Sequence, residues 1–348
     1  MLQRIQQLPR GQRLLIFALI FGGGLFVLVA LTVLLIRGTL TPGVRSMGQS
    51  LSADITVNQF AVLPDDDAYP AALAVAADGR VYTGSYKTGK LWVITPKGEV
   101  SPVATKGEAL KAITGLAIAP DGTLYIVDQT DADPRTDGGN VKRMTADGTV
   151  SIFAKITDAK GFISPDDVTL DAAGNVYVSD RARAEVWRFN KDGISGLAWW
   201  TPPKLDGVSQ YAPTGLAYDA SRNAIVITDS TNDTVYRVPV DAPDKSELLY
   251  WHKGRANPPG FDGLTVTPQG VIYLAALGQR GIARLDGETL TYIAGLFRGP
   301  SDVDYAAPDK LYVTNWDQFS LAVSASKPSL PFALDVIHFV DLTVTPTP

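Results

Sequence analysis

From about residue 54 to 342 the chain alternates apolar and polar positions in short runs, and one run returns six times. It appears as "LAVAADGRVYTGS" from Leu73, "LAIAPDGTLYIVD" from Leu116, "VTLDAAGNVYVSD" from Val168, "LAYDASRNAIVITD" from Leu216, "LTVTPQGVIYLAA" from Leu264 and "VDYAAPDKLYVTN" from Val303. The starts lie 43, 52, 48, 48 and 39 residues apart, a period too long for a leucine-rich repeat and suited to a four-stranded propeller blade. In each unit an alternating strand meets a turn, as at Asp78-Gly79, Asp121-Gly122, Ala173-Gly174 and Gln269-Gly270, and a second strand begins at once. Third strands are predicted at "KLWVIT", "NVKRMT", "EVWRFN", "TVYRVP" and "GIARLD", and fourth strands at "VSPVA", "VSIFA", "GLAWW", "LLYWH" and "TYIAGL". Five blades are thereby complete.

The sixth unit has "KLYVTNW", an irregular segment over 317–333, and one more strand in "LDVIHFVDL". It lacks a strand, while "DITVNQFAVL" at 54–63 stands upstream of blade one with no partner. The pattern therefore predicts that 54–63 closes the ring through blade six, pairing edges that would otherwise be exposed. Beyond residue 50 no apolar run at helical spacing is long enough to matter, and Gly and Pro interrupt the chain about every ten residues. The expected fold class is all-β, a six-bladed β-propeller preceded by one N-terminal transmembrane helix.

That helix is read from residues 14–36, which carry no charge. At a rise of ~1.5 Å per residue they reach ~34 Å, enough for a hydrocarbon core of ~30 Å. Arg4, Arg10 and Arg13 precede the span and Arg37 and Arg45 follow it, a bias that predicts a cytoplasmic amino terminus and an extracytoplasmic propeller at the cell membrane. A cleaved signal peptide is the rival, with an apolar region of only ~7–15 residues. The expected organisation is 1–13 cytoplasmic, 14–36 signal-anchor helix, 37–53 linker, 54–342 propeller closed by 54–63, and a disordered tail at 343–348.

Charge and composition narrow the function. The net charge of −5 leaves the part beyond residue 50 acidic, since the first 50 residues hold five arginines and no acid. An acidic body argues against a nucleic-acid surface. With no cysteine there is no disulfide framework, thiolate metal site or Cys nucleophile. His252 and His338 are the only histidines and have no partner at metal-ligand spacing, which leaves a His-based triad without support.

In a propeller the innermost strands start beside the central channel. Two positions before each repeat start stand Ala71, Thr114, Asp166, Thr214, Asp262 and Ser301. Two carboxylates and three hydroxyls around one opening are able to hold Ca²⁺, and equally to line a watered channel. Thr114, Thr214, Ser301, Phe261 and Trp316 are the candidate rim or ligand-contacting residues, and Trp199, Trp200, Tyr211 and Trp251 also fall near strand ends. Asp131, Asp133 and Asp137 in "DQTDADPRTDGGN" lack EF-hand spacing and read as a solvated loop. Asp128, Asp180 and Asp229 recur after the second strand, which implies a repeated turn hydrogen bond.

The pattern over 54–342 resembles the six-bladed propellers of the gluconolactonase and regucalcin type, with kinship to strictosidine-synthase-like and NHL-repeat propellers. The resemblance implies a divalent cation, calcium or another, at the top of the channel, held by a Glu of the first blade, Asn of middle blades and an Asp in a Pro-Asp-Gly motif. "GFDGLTV" carries that Asp over to Asp262, and "SPDDVTL" places Asp166 where an Asn-Asp pair is usual. Two positions depart: "YPAALAV" offers Ala68 or Ala71 in place of Glu, and "APTGLAY" offers Thr214 in place of Asn. Asp67 is the nearest substitute for the Glu. If catalytic, the implied reaction is metal-dependent hydrolysis of a lactone or ester, with Asp166 and Asp262 as ligands or Asp262 moving the proton. The two departures favour the other reading, a membrane-anchored module that binds a small-molecule ligand or envelope proteins as a scaffold, with a degenerate metal site.

Overall fold

The structure is a computed structural model and describes residues 8–40, 47–156, 158–194, 196–322 and 326–340. The expected disordered tail at 343–348, and the parts of the terminus and linker at 1–7 and 41–46, lie outside the described residues. The chain divides into two compact units. One holds Met1–Val44 with Gln318–Leu330, and the other holds Arg45–Asp317 with Pro331–Pro348.

In the first unit, helix Arg10–Leu40 starts just after Pro9, whose carbonyl accepts the amides of Gln12 and Arg13. It outruns the charge-free stretch because the flanking arginines are themselves good helix formers. Its window Arg10–Ile36 has a mean hydropathy of 2.8, so it is long and apolar enough to cross a membrane, a property that signal sequences share. A short helix, Gln318–Ala322, occupies part of the segment read as irregular.

Six sheets, counted among the described residues and antiparallel apart from one short edge strand, make the second unit. Their innermost strands are Pro70–Val75, Ala112–Ile118, Pro165–Leu170, Pro213–Asp219, Phe261–Val266 and Val303–Ala306, and they define blades one to six in that order. Blade six runs from Val303–Ala306 through Lys310–Val313 and Ala333–Phe339 to an outermost strand, Ile55–Val62. That last pairing joins Ile55 to Phe339 and Val62 to Ala333. Two short strands were not foreseen. Gln49–Ser50, from the segment read as linker, adds to the outer edge of blade five, and Lys106–Gly107 runs parallel to the outer strand of blade two. Two-residue strands leave no alternation to read.

Apolar clusters fill the spaces between neighbouring blades. Tyr125, Phe153, Val176 and Phe189 join blades two and three, while Tyr177, Trp199, Trp200 and Tyr236 join three and four. Val226, Tyr250, Phe261 and Leu274 join four and five. Trp199, Trp200 and Phe261 therefore sit in blade cores, and the expectation of Phe261 as a rim residue is corrected: its ring is 1% exposed and packs edge-on to Tyr250 at 5.8 Å. A large apolar side chain at a strand start gains ~1.5–3 kcal/mol from burial, more than a channel wall offers it.

Toward the axis the blades approach too closely for side chains. A Cβ on Gly215 would fall on the Asp262 carbonyl oxygen, and one on Gly263 would fall on the Asp302 carboxylate. Hydrogen bonds tie the same ring together. Ser179 donates to the Thr214 carbonyl, Thr228 to the Asp262 carbonyl at 2.7 Å, and Ser301 to the Ala71 carbonyl at 2.7 Å.

Candidate functional site

The inner strands of blades one to five shift register at the end where they begin, between Pro70 and Ala72, Ile113 and Gly115, Pro165 and Val168, Pro213 and Leu216, and Phe261 and Leu264. Such bulges add a residue to one strand and re-aim its side chains. The bulged residues include Ala71, Thr114, Asp166, Thr214 and Asp262, so the positions picked from the repeat share one structural place, the channel mouth.

These residues differ in what they have left to offer. Ala71 has no polar group. Thr214 Oγ1 donates to the Ala212 carbonyl at 2.7 Å and bonds the Ser230 hydroxyl at 2.8 Å, and Ser301 is committed to Ala71. Thr114 Oγ1 is buried with no hydrogen-bond partner. Asp166 is 9% exposed, and its Oδ1 lies 3.3 Å from Arg181 Nε. The Asp262 carboxyl, partly open to the mouth, takes no hydrogen bond and forms no ion pair among the described residues.

A second ring of mouth residues follows the second strands, one place beyond the recurrent turn position: Tyr86, Gln129, Arg181, Ser230, Leu277 and Trp316. Pairing of Pro165 with Asp180 puts Arg181 at the same end as Asp166. Tyr86 reaches Gln129 Oε1 at 3.5 Å, and its ring meets Trp316 edge-on at 5.1 Å. Trp316 Nε1 is buried and has no hydrogen-bond partner. Of this ring the sequence reading named only Trp316. The recurrent turn residues behind it are structural, as their recurrence implies. Asp128 accepts the amides of Lys111 and Ala112, Asp180 those of Ile163 and Ser164, and Asp229 that of Ala212.

Electrostatics single out four of these groups. Burial pushes the Asp262 carboxyl well above the ordinary carboxylate range, and the negative charge of Asp166 adds to this while Arg181 opposes it. Burial also raises Asp166, with Arg181 opposing. Arg181 is held more firmly protonated, chiefly by Asp166 and further by Asp262. Tyr86 is pushed up to about 12 by burial.

Deeper in the channel the inner strands of all six blades line a cavity of ≈ 240 Å³ that includes Asp167, Asp302 and Asp304. Their oxygens accept backbone amides of neighbouring blades: Asp167 from Leu216 at 2.8 Å, Asp302 from Leu73 at 2.8 Å, and Asp304 from Val75 at 2.9 Å. These carboxyls staple the ring.

The donors do not fit the divalent cation that the sequence resemblance implies. Ca²⁺ takes six to eight oxygens. Here one carboxylate already carries a guanidinium, two hydroxyls serve internal bonds, and only Asp262 and Thr114 remain without protein partners. No group of three or more acids or histidines suited to a metal occurs among the described residues, so Asp67 does not join the two aspartates in one. Elsewhere, Asp133 grips Arg135 at 2.6 Å, which pulls its carboxyl down to about 2, and Asp131 caps the Asp133 amide, as befits a solvated loop. His252 is bonded to the Tyr250 hydroxyl at 2.8 Å and to the Ala256 carbonyl, and His338 lies in a strand between Thr56 and Lys310.

No family model matches the chain. A gluconolactonase of Zymomonas mobilis is 25% identical over 225 residues, covering 58% of this chain and 60% of that protein, so the chain spans about 60% of the length of this curated relative. Among solved structures, a gluconolactonase from Xanthomonas campestris superposes with a TM-score of 0.61 at 15% identity over 86% of this chain and 98% of its own. Virginiamycin B lyase from Staphylococcus aureus gives 0.54 at 15% identity over 76% and 83%. At such identities the superpositions carry the fold alone. With the bladed ring and its mouth described, the chain is a six-bladed β-propeller that resembles the gluconolactonases.

Proposed function

We propose that this protein is a membrane-anchored propeller that binds a small, oxygen-rich molecule of lactone or ester chemistry at its channel mouth. The sequence alternatives of ligand binding and protein scaffolding thereby narrow to the first. The observation that carries this reading is the unpaired Asp262 carboxyl beside Arg181. A half-buried acid without a protein partner is costly to keep charged, and perturbed acids in clefts mark functional sites. Asp262 in its protonated form donates to a carbonyl or ring oxygen, Arg181 donates to a second oxygen, and Trp316 and Tyr86 supply apolar faces beside them. The arginine bias around helix Arg10–Leu40 supports an extracytoplasmic mouth.

A second reading, hydrolysis, is favoured by the same pair of groups together with the sequence likeness to a gluconolactonase. Water adds to the lactone carbonyl carbon, Arg181 faces the oxyanion, and the ring C–O bond breaks as its oxygen takes a proton from Asp262. The water's proton returns to Asp262.

Full-length protein in detergent, titrated calorimetrically with a panel of sugar lactones, tests both readings. Binding should be lost in Asp262→Ala and kept in Asp133→Ala. Acid release by the wild type above the spontaneous rate would select hydrolysis. Failure of every lactone and ester to bind would end the proposal.

A further inference from the structure

The mouth poses an electrostatic question that its ligand does not answer. Asp166 and Asp262 stand on the inner strands of blades three and five, in a site whose resemblance to gluconolactonases implies a cation between acids. The cation found there belongs to the chain. Arg181 follows the second strand of blade three, and its backbone N–H donates a hydrogen bond to the Ser164 carbonyl at 3.0 Å. Asp180 locks the same turn by accepting the amides of Ile163, Ser164 and Arg183. From this anchored base Nη2 donates to Ser164 Oγ at 3.3 Å, and the guanidinium forms an ion pair with Asp166, Nε lying 3.3 Å from Oδ1 without hydrogen-bond geometry.

We infer that Arg181 is a built-in replacement for a divalent cation, so that the channel mouth works as a metal-free site in which a guanidinium holds Asp166 and faces Asp262. Three features of the site support this beyond proximity. The side chains that would complete a metal shell are missing or committed: Ala71 has no oxygen in its side chain, and the Thr214 and Ser301 hydroxyls donate to backbone carbonyls. A single positive charge is already in place, since the Arg181 guanidinium is paired with the Asp166 carboxylate at 3.3 Å. Finally, a planar fork of N–H donors binds oxygens in one plane, whereas Ca²⁺ gathers them on all sides. The site thus selects carbonyl or carboxylate oxygens directly and has no use for a metal as intermediary.

The inference is independent of which ligand binds, and its test uses metal alone. Full-length protein in detergent is titrated with Ca²⁺ and with Tb³⁺, whose luminescence is sensitised by nearby aromatic rings such as Tyr86 and Trp316. The wild type should show neither sensitised emission nor a metal-dependent change in Tm. In Arg181→Ala or Arg181→Gln the carboxyls lose their internal cation, so sensitised Tb³⁺ emission should appear and millimolar Ca²⁺ should raise Tm by about 3 °C or more. The double variant Arg181→Ala/Asp166→Asn should lose that gain. Arg135→Ala, which frees the surface residue Asp133, should gain nothing. Stoichiometric metal uptake by the wild type would overturn the inference, as would folded Arg181→Ala and Arg181→Gln proteins that both remain blind to metal. If Arg181→Ala does not fold, Arg181→Gln, which keeps most of the side-chain volume, is the variant to read.

Discussion

Asp167 and Asp302 occupy the same place in blades three and six, and each gives one carboxylate oxygen to the inner strand of the next blade, Asp167 to the Leu216 amide and Asp302 to the Leu73 amide. The second oxygen accepts the amide of the following residue, Val168 or Val303. Inner strands present N–H groups toward the channel, and these two acids supply acceptors for them within the protein.

Replacing Asp302 by Ala should therefore strip two amides of their partner and cost about 1–3 kcal/mol, read as a Tm lowered by several degrees. Asp302→Asn keeps one acceptor and should cost less. Asp286→Ala, which removes only an exposed ion pair with Arg284, should cost under ~1 kcal/mol.

The pH dependence of stability has a defined sign at Asp167. Burial pushes this carboxyl up from 3.8 to about 8 in the folded protein. Folding therefore takes up a proton between those values. The stability linked to that proton is complete below about 4 and drains away as pH rises to about 8. Tm of the wild type should fall more steeply between pH 6 and 8 than that of Asp167→Asn, which cannot titrate. Parallel profiles would show that the group titrates in the ordinary range.

At Gly215 the expected penalty is steric. Alanine there drives its methyl group onto the Asp262 carbonyl, which also accepts from Thr228. Gly215→Ala should lose about 1–3 kcal/mol of stability. Because the displaced strand carries Asp262, lactone affinity should fall as well, whereas Gly174→Ala at a surface turn should lower Tm and spare affinity.

Lys142 and Asp128 form a buried pair at 2.6 Å, with the ammonium also donating to the Ala109 carbonyl. Asp128→Ala leaves a buried ammonium and two amides uncompensated and should cost about 3–5 kcal/mol, while Lys142→Met leaves an acid still bonded to Lys111 and Ala112 and should cost less. Denaturation of the two variants side by side checks the order.

How much of this was legible in the sequence differs between fold and site. The blades were, because a hairpin repeated at a period of 39 to 52 residues is a redundant signal: Leu73, Leu116, Val168, Leu216, Leu264 and Val303 each fall in an inner strand. The mouth was legible only by position. Counting back two residues found Asp166 and Asp262, but bulges at the strand starts break alternation there, so Phe261 was read as facing a channel from which it turns away. Arg181 carries no motif of its own: it stands one place beyond the recurrent Asp180, a charged residue where the other blades carry Tyr86, Gln129, Ser230, Leu277 and Trp316. Asp167, Asp302 and Asp304 were missed for another reason. Their partners are amides of other blades, and sequence separations of 49 and 229 residues leave no local trace.

The closing strand Ile55–Val62 has a consequence for biosynthesis. It is among the first parts of the propeller to be made, yet its partner Ala333–Phe339 is among the last. At ~5–20 residues per second, the about 280 residues between them keep this strand waiting for ~15–60 s. Throughout that interval the ribosome carries a ring that is open at one seam, with two unpaired edges that only the synthesis of Ala333–Phe339 can bring together.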